Sequence, residues 1–146
     1  MSEGTAEAPQ QGGGKPRVGI VLVSHSAAVA DAVAELAVGL AGTGSAQVTG
    51  AGGGPDGGLG TDAERITEAA HGADSGAGVA VLVDLGSAVL TVKALLAEGD
   101  ELPEHTRLVD APLLEGAVAA AVAASGGAGL EEVAAAAEEA YDYRKV

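Results

Sequence analysis

Apolar residues along this chain follow two alternating rhythms. Val18-Gly19-Ile20-Val21-Leu22-Val23 is an unbroken apolar run, the pattern of a strand covered on both faces. Directly after it, Val29, Val33, Leu36 and Leu40 recur at helical spacing. Glycine chemistry over residues 42–45 ends that helix. The alternation then repeats. Residues 46–51 read as a short second strand, followed by a glycine-dense loop over residues 52–60. Thr61-Asp62-Ala63-Glu64 matches a capping box, with Thr61 as N-cap and Glu64 reaching back, for a helix to about residue 70. Residues 78–84 form the clearest strand after the first; Leu85-Gly86-Ser87 breaks it, and Val89, Val92, Leu95 and Leu96 mark the next helix. A shorter strand is expected over residues 107–110, an Ala-rich helix to about residue 124, and a last helix from residue 130 to about 143.

Strands alternating with helices through short glycine turns give a βαβ series and a parallel sheet. Right-handed crossovers cover both faces of such a sheet with helices. The expected fold is therefore α/β and doubly wound, with four mainly parallel strands; the order 2-1-3-4 is assumed for them, and an extra edge strand is compatible with it. Residues 17–146 suffice for one domain. Residues 1–16 are rich in Gly, Glu and Gln without an apolar stretch, and read as a disordered tail rather than a signal peptide or anchor.

Composition sharpens this picture. The chain has no Phe, Trp or Cys and only two Tyr, so the core is Val, Leu, Ile and Ala, which suits helices laid closely on a sheet. Without cysteine there are no disulfides, thiolate chemistry or Cys-ligated metals, and a cytoplasmic setting fits. The formal charge of −14 argues against nucleic acid and against an anionic membrane surface. It can steer a basic protein partner, or serve solubility alone. No run of apolar residues reaches the roughly 18 that a membrane span needs.

Candidate chemistry gathers at the carboxyl ends of the strands, where open α/β sheets bind ligands at the point of strand-order reversal. If strands one and three are neighbours there, the Ser24-His25-Ser26 turn faces Asp84-Leu85-Gly86-Ser87. A helix start offers free N–H groups and a positive dipole end, which disfavour a cationic imidazole and favour a phosphorylated one. His25 is thus either a capping or surface residue or a nucleophile. Asp84 either caps the following helix or accepts from Nδ1–H of His25, leaving Nε2 free to attack. Ser87 reads as a helix N-cap that can also hold phosphoryl oxygens. The glycine loop either offers N–H groups to an anion or is an ordinary connection; it lacks the P-loop pattern and its Lys. His71 completes a helix dipole and His105 sits in a polar loop, both without a catalytic role. No metal site or cofactor is expected. A hydrolase is disfavoured, since Gly-x-Ser-x-Gly is missing around the histidine.

Four segments in this order carry a family resemblance: Val21-Leu22-Val23-Ser24-His25-Ser26, Gly57-Gly58-Leu59-Gly60-Thr61, Asp84-Leu85-Gly86-Ser87-Ala88 and Ala111-Pro112-Leu113-Leu114-Glu115-Gly116-Ala117. From about residue 18 to 141 the chain resembles the phosphotransferase subunits of bacterial dihydroxyacetone kinases that depend on the phosphotransferase system (PTS). Their first domain is similar to the IIA domains of mannose-type transporters. The resemblance implies a phosphotransferase in which the carrier HPr phosphorylates His25. The phosphohistidine would then rephosphorylate ADP held in the nucleotide-binding kinase subunit. It implies Asp84 as the orienting partner of His25, Gly86 and Ser87 at the phosphate-cradling turn, and Thr61 as a weaker neighbour. It also implies a homodimer. Some members carry HPr-like and enzyme I-like domains on the same chain; this sequence ends after the IIA-like domain, so separate donors are expected. A mannose-type sugar transporter component or a PTS-linked sensor are the alternatives.

Overall fold

The computed structural model describes residues 15–146 except Thr43 and Ser45. The expected tail, apart from its last two residues, therefore lies outside the described residues. Strands β1 (Gly19–Ser24), β2 (Val48–Gly52), β3 (Val79–Val83) and β4 (Thr106–Val109) alternate with helices α1 (Ala27–Ala41), α2 (Ala63–Ala73), α3 (Gly86–Glu98) and α4 (Leu113–Ser125). Helix α5 (Leu130–Glu139) and a 3₁₀ turn, Ala140–Asp142, complete the chain. The sheet order is β2-β1-β3-β4 with every pairing parallel, which is the order assumed for the βαβ series. Among the described residues, no helix is long and apolar enough to cross a membrane.

Period-2 alternation along β1 divides the core into two layers. Ile20 and Leu22 pack with residues of α1, α4 and α5, such as Ala37, Ala120 and Val133. Val21 and Val23 pack on the other face with Ile66 and Ala70 of α2 and Val92 of α3. Small residues set the layer spacing. A Cβ at Gly19 would lie 2.1 Å from the Ala73 carbonyl oxygen, so α2 rests directly on the backbone of β1.

Several boundaries differ from those read in the sequence, each for a local reason. Strand β1 includes Ser24, because Ser24 pairs with Gly52 and carries β2 to that residue. Helix α2 begins from Asp62, not Thr61. The Asp62 side chain accepts from Glu64 N–H at 3.1 Å, while the Thr61 hydroxyl is engaged with Thr91 at 3.1 Å. Helix α2 also runs on to Ala73, and β4 lies one residue earlier than expected. Ser87 is not the cap of α3: that position is Leu85, with no side-chain hydrogen bond, and Ser87 sits in the first turn. The last helix stops at Glu139, and the tighter turn that follows lets the Tyr141 hydroxyl donate to Asp110 at 2.7 Å.

Candidate active site

Strand β1 is central and parallel to β3, so their carboxyl ends deliver Ser24-His25 and Asp84 to one crevice. The His25 backbone N–H donates to Asp84 Oδ2 at 3.0 Å, and His25 Nδ1 lies 3.0 Å from Asp84 Oδ1. One carboxylate therefore holds both the backbone and the ring of the same histidine. With Nδ1–H donating to Asp84, Nε2 keeps its lone pair, and the Ser87 hydroxyl is hydrogen-bonded to it. The His25 side chain is 26% exposed and that of Asp84 18%. Nε2 is thus the nitrogen on the open side of the ring, towards exposed Ser87.

Partial burial alone raises the pKa of Asp84. Hydrogen bonds from His25 N–H, the Ser24 hydroxyl, the His25 ring and Leu85 N–H outweigh that effect and hold the carboxyl below its ordinary value. Asp84 is therefore an anion at neutral pH, able to stabilise positive charge on the ring.

The crevice lies between two helix starts. Ser26 caps α1 by accepting from Val29 N–H at 3.2 Å. Helix α3 opens at Gly86, and the N–H groups of Gly86 and Ser87 belong to its first turn, where no intrahelical acceptor exists. An anion on Nε2 would meet these donors and the positive end of the α3 dipole.

The glycine loop serves differently from an anion cradle. Its N–H groups are engaged: Gly53 donates to the Ser24 carbonyl at 3.1 Å, Gly60 to the His25 carbonyl at 2.9 Å, and Gly54 to Gly58 at 2.8 Å. Gly57 and Gly58 donate within the loop as well. The loop therefore clamps the carbonyls of the histidine segment. Arg65 reinforces it by donating to the Gly52 carbonyl at 3.1 Å. Thr61 is linked to α3 through the Thr91 hydroxyl, 3.1 Å away. The Thr91 hydroxyl donates to the Ser87 carbonyl at 3.0 Å, so its one proton is spent and Thr61 is the donor between the two threonines.

The structure thus brings together His25, Asp84, Gly86 and Ser87, and ties Thr61 to α3 through Thr91. His71 closes α2 with Nε2 2.8 Å from the Glu101 carbonyl, and His105 is exposed. Sequence reasoning gave Ser24 no role, yet it is the only buried polar side chain among the described residues, 1% exposed. Its signal was a polar residue ending a run of strand positions all buried.

Fold and site together are those of a small doubly wound α/β domain with one carboxylate-braced histidine at its strand-order reversal. The family described as the PTS system fructose IIA component, EIIA-man, matches residues 19–134, and the chain belongs to it. Among curated relatives, the chain is 38% identical over 106 residues to the PEP-dependent dihydroxyacetone kinase 2, phosphoryl donor subunit DhaM, of Listeria innocua, covering 72% of this chain and 84% of that one. It is 35% identical over 119 residues to the corresponding DhaM subunit of Escherichia coli, covering 80% of this chain and 25% of that protein. The chain therefore spans most of the first relative and a quarter of the second. A crystal structure of a protein of unknown function, EF1359, superposes with a TM-score of 0.71 at 35% identity, covering 84% of this chain and 94% of the other. A sigma-54 interaction domain protein from Enterococcus faecalis shares the fold, with a TM-score of 0.65 at 18% identity over 87% of this chain and 92% of that one.

Proposed function

We propose that this chain is the phosphoryl donor subunit of a PEP-dependent dihydroxyacetone kinase, working as a cytoplasmic carrier with His25 as its phosphorylation site. The observation that carries the reading is the single braced imidazole: Nδ1 on Asp84 and Nε2 beside Ser87 at the start of α3. Relatives named as phosphoryl donor subunits of such kinases support the substrate class.

The chemistry is a pair of displacements. Nε2 attacks the phosphorus of a phosphorylated donor protein, HPr in this reading, and the N–P bond to the donor breaks as the new one forms. Asp84 stabilises the charge the ring gains. The Ser87 hydroxyl leaves Nε2 and turns its proton to a phosphoryl oxygen, joined by the Gly86 and Ser87 N–H groups. In the second half a terminal oxygen of ADP, bound in the partner kinase subunit, attacks the phosphorus, and the electron pair returns to Nε2. Such transfers need positioning and charge stabilisation more than covalent machinery.

Two successive protein partners need an accessible rim. Leu85 and Leu90 are 65% and 68% exposed, beside Asp84 and one turn along α3 from Ser87, and Leu59, 83% exposed, adjoins Gly60, which donates to the His25 carbonyl. Exposed leucines around a polar centre suit docking to a protein surface. Pairing of two copies belongs to the same reading. An apolar groove of about 650 Å³ between α1 and α4, lined by Leu36, Leu40, Leu114, Val118 and Val122, supports it, and the molar mass in solution checks it.

Intact-mass analysis after incubation with phosphoenolpyruvate, enzyme I and HPr tests the proposal. The wild-type chain gains one phosphoryl group, stable in base and lost in acid, and His25→Ala gains none while keeping its fold. Label persisting on His25→Ala moves the site elsewhere. The family's description as a sugar PTS component favours a second reading, a transporter IIA domain. Passing the label to purified soluble kinase subunits holding ADP decides between them.

A further inference from the structure

Helix α3 brings the Gly86 and Ser87 N–H groups to the site, yet its start has no side-chain cap: Leu85 occupies that position and offers no hydrogen bond. A helix end without such a cap frays more readily. Its tie comes from one turn further on. The Thr91 hydroxyl donates to the Ser87 carbonyl at 3.0 Å and accepts from the Thr61 hydroxyl at 3.1 Å. Both threonines are half-buried, and Thr61 follows Gly60, whose N–H donates to the His25 carbonyl at 2.9 Å. We propose that Thr91 is a positioning residue, whose hydroxyl joins the glycine loop to the first turn of α3 and fixes the spacing between His25 and Ser87 for phosphoryl transfer.

A threonine hydroxyl bonded only to the carbonyl four residues back is local helix chemistry and moves with its helix. Thr91 differs in its second partner. Its oxygen accepts from a residue 30 positions earlier, so the bond crosses from the glycine loop to α3. Three hydrogen bonds then run from one half of the site to the other. Gly60 N–H meets the His25 carbonyl, the Thr61 hydroxyl meets Thr91, and the Thr91 hydroxyl meets the Ser87 carbonyl. The Ser87 side chain, bonded to Nε2 of His25, closes them into a ring. The ring has a use during transfer. The Ser87 hydroxyl must leave Nε2 and turn to a phosphoryl oxygen, and the direct contact between the two residues is lost at that moment. A tether on the Ser87 carbonyl keeps the backbone of α3, and with it the Gly86 and Ser87 N–H groups, at the same distance from His25 while the side chain turns. Asp84 braces the imidazole on its Nδ1 side; Thr91 braces the side that receives the phosphoryl group. Reacting groups are held to the tolerance of their chemistry by hydrogen bonds of this kind behind them.

This inference rests on the carrier reading, and its test separates the two. Phosphoryl acceptance from phospho-HPr is timed for wild type, Thr91→Val, Thr91→Ser, Thr61→Val and the Thr61→Val, Thr91→Val pair. The His25 ring nitrogens are followed in each by ¹⁵N NMR. Valine keeps the branched shape of threonine and removes the hydroxyl. Thr91→Val is expected to slow acceptance about tenfold or more and to shift the Nε2 resonance, since small misplacements near a reacting group cost that much. Thr91→Ser, which restores the hydroxyl, is expected to recover both. Thr61→Val breaks the same bridge from the loop and leaves α3 untouched, so it stands even where Thr91→Val fails to fold. It is expected to slow acceptance as well, and to add nothing on top of Thr91→Val, because two changes to one bridge are not additive. Unchanged acceptance or an unmoved Nε2 resonance in Thr91→Val, no recovery in Thr91→Ser, unchanged acceptance in Thr61→Val, or costs that add in the pair overturn the proposal alone. A wild-type chain that takes no label overturns the carrier reading and this proposal with it.

Discussion

Asp84 has two oxygens and spends both on one neighbour, bonding the backbone and the ring of His25 at 3.0 Å each. Replacement by Asn removes the charge and confuses the tautomer, since an amide can offer N–H where Nδ1–H needs an acceptor. Asp84→Asn is expected to slow phosphoryl acceptance by about a hundredfold or more, as measured by rapid quench. A rate within twofold of wild type removes Asp84 from the mechanism. The pKa of Asp84 is depressed in the folded state, so the stability it contributes is complete above the ordinary carboxyl value of 3.8 and is lost as pH falls through the lower folded value. Urea denaturation at a series of pH values should show the stability gap between wild type and Asp84→Asn closing below that window. At this scale the sequence exposed His25, Asp84 and Ser87, because a polar residue at the tip of an apolar strand is conspicuous. Ser24 escaped because serine beside histidine reads as ordinary turn chemistry. Thr61 reads in the sequence as the N-cap that Asp62 turns out to be, because its partner Thr91 lies 30 residues away and only packing brings them together.

Helices and strands here are placed by glycine as much as by apolar burial. At Gly52 a Cβ would stand 2.4 Å from the Ser26 carbonyl oxygen and 2.8 Å from Ala27 Cα, so β2 and the start of α1 meet backbone to backbone. Gly52→Ala must push the histidine turn outward. It is expected to cost roughly 1–3 kcal/mol in chemical denaturation, the usual range for overpacking, and to slow phosphoryl acceptance with it. An alanine variant as stable and as fast as wild type would show that the turn tolerates displacement. The order of elements and the direction of every strand were readable, since unbroken apolar runs and helical spacing leave little choice for a parallel sheet. Element ends were less so. Helix α5 continues in composition past Glu139, but Tyr141 reaches Asp110 and draws the chain into a 3₁₀ turn. The glycine loop invited an anion-binding interpretation because its composition is that of a nest. Its N–H groups turned inward, to carbonyls of the very segment they were expected to assist.

Across the whole molecule, two helical layers leave the His25–Asp84 crevice at the carboxyl edge of the sheet, and the chain surrounding it carries a formal charge of −14. The hydrogen bonds to Asp84 come from His25, backbone and ring, and from the Leu85 backbone, so no lysine or arginine holds this carboxylate. Such a molecule repels a phosphorylated small anion at long range. It attracts a protein that presents its phosphoryl group from a basic face. The distinction is visible in kinetics. For a basic partner, the second-order rate of phosphoryl acceptance falls as the Debye length shrinks from about 10 Å at 0.1 M salt to about 3 Å at 1 M. The first-order transfer within the docked pair stays constant, because the crevice is formed from short hydrogen bonds that salt does not screen. Stopped mixing with phospho-HPr across that range separates the two steps. A rate that rises with salt places like charges at the interface, and leaves docking to the exposed leucines around the site.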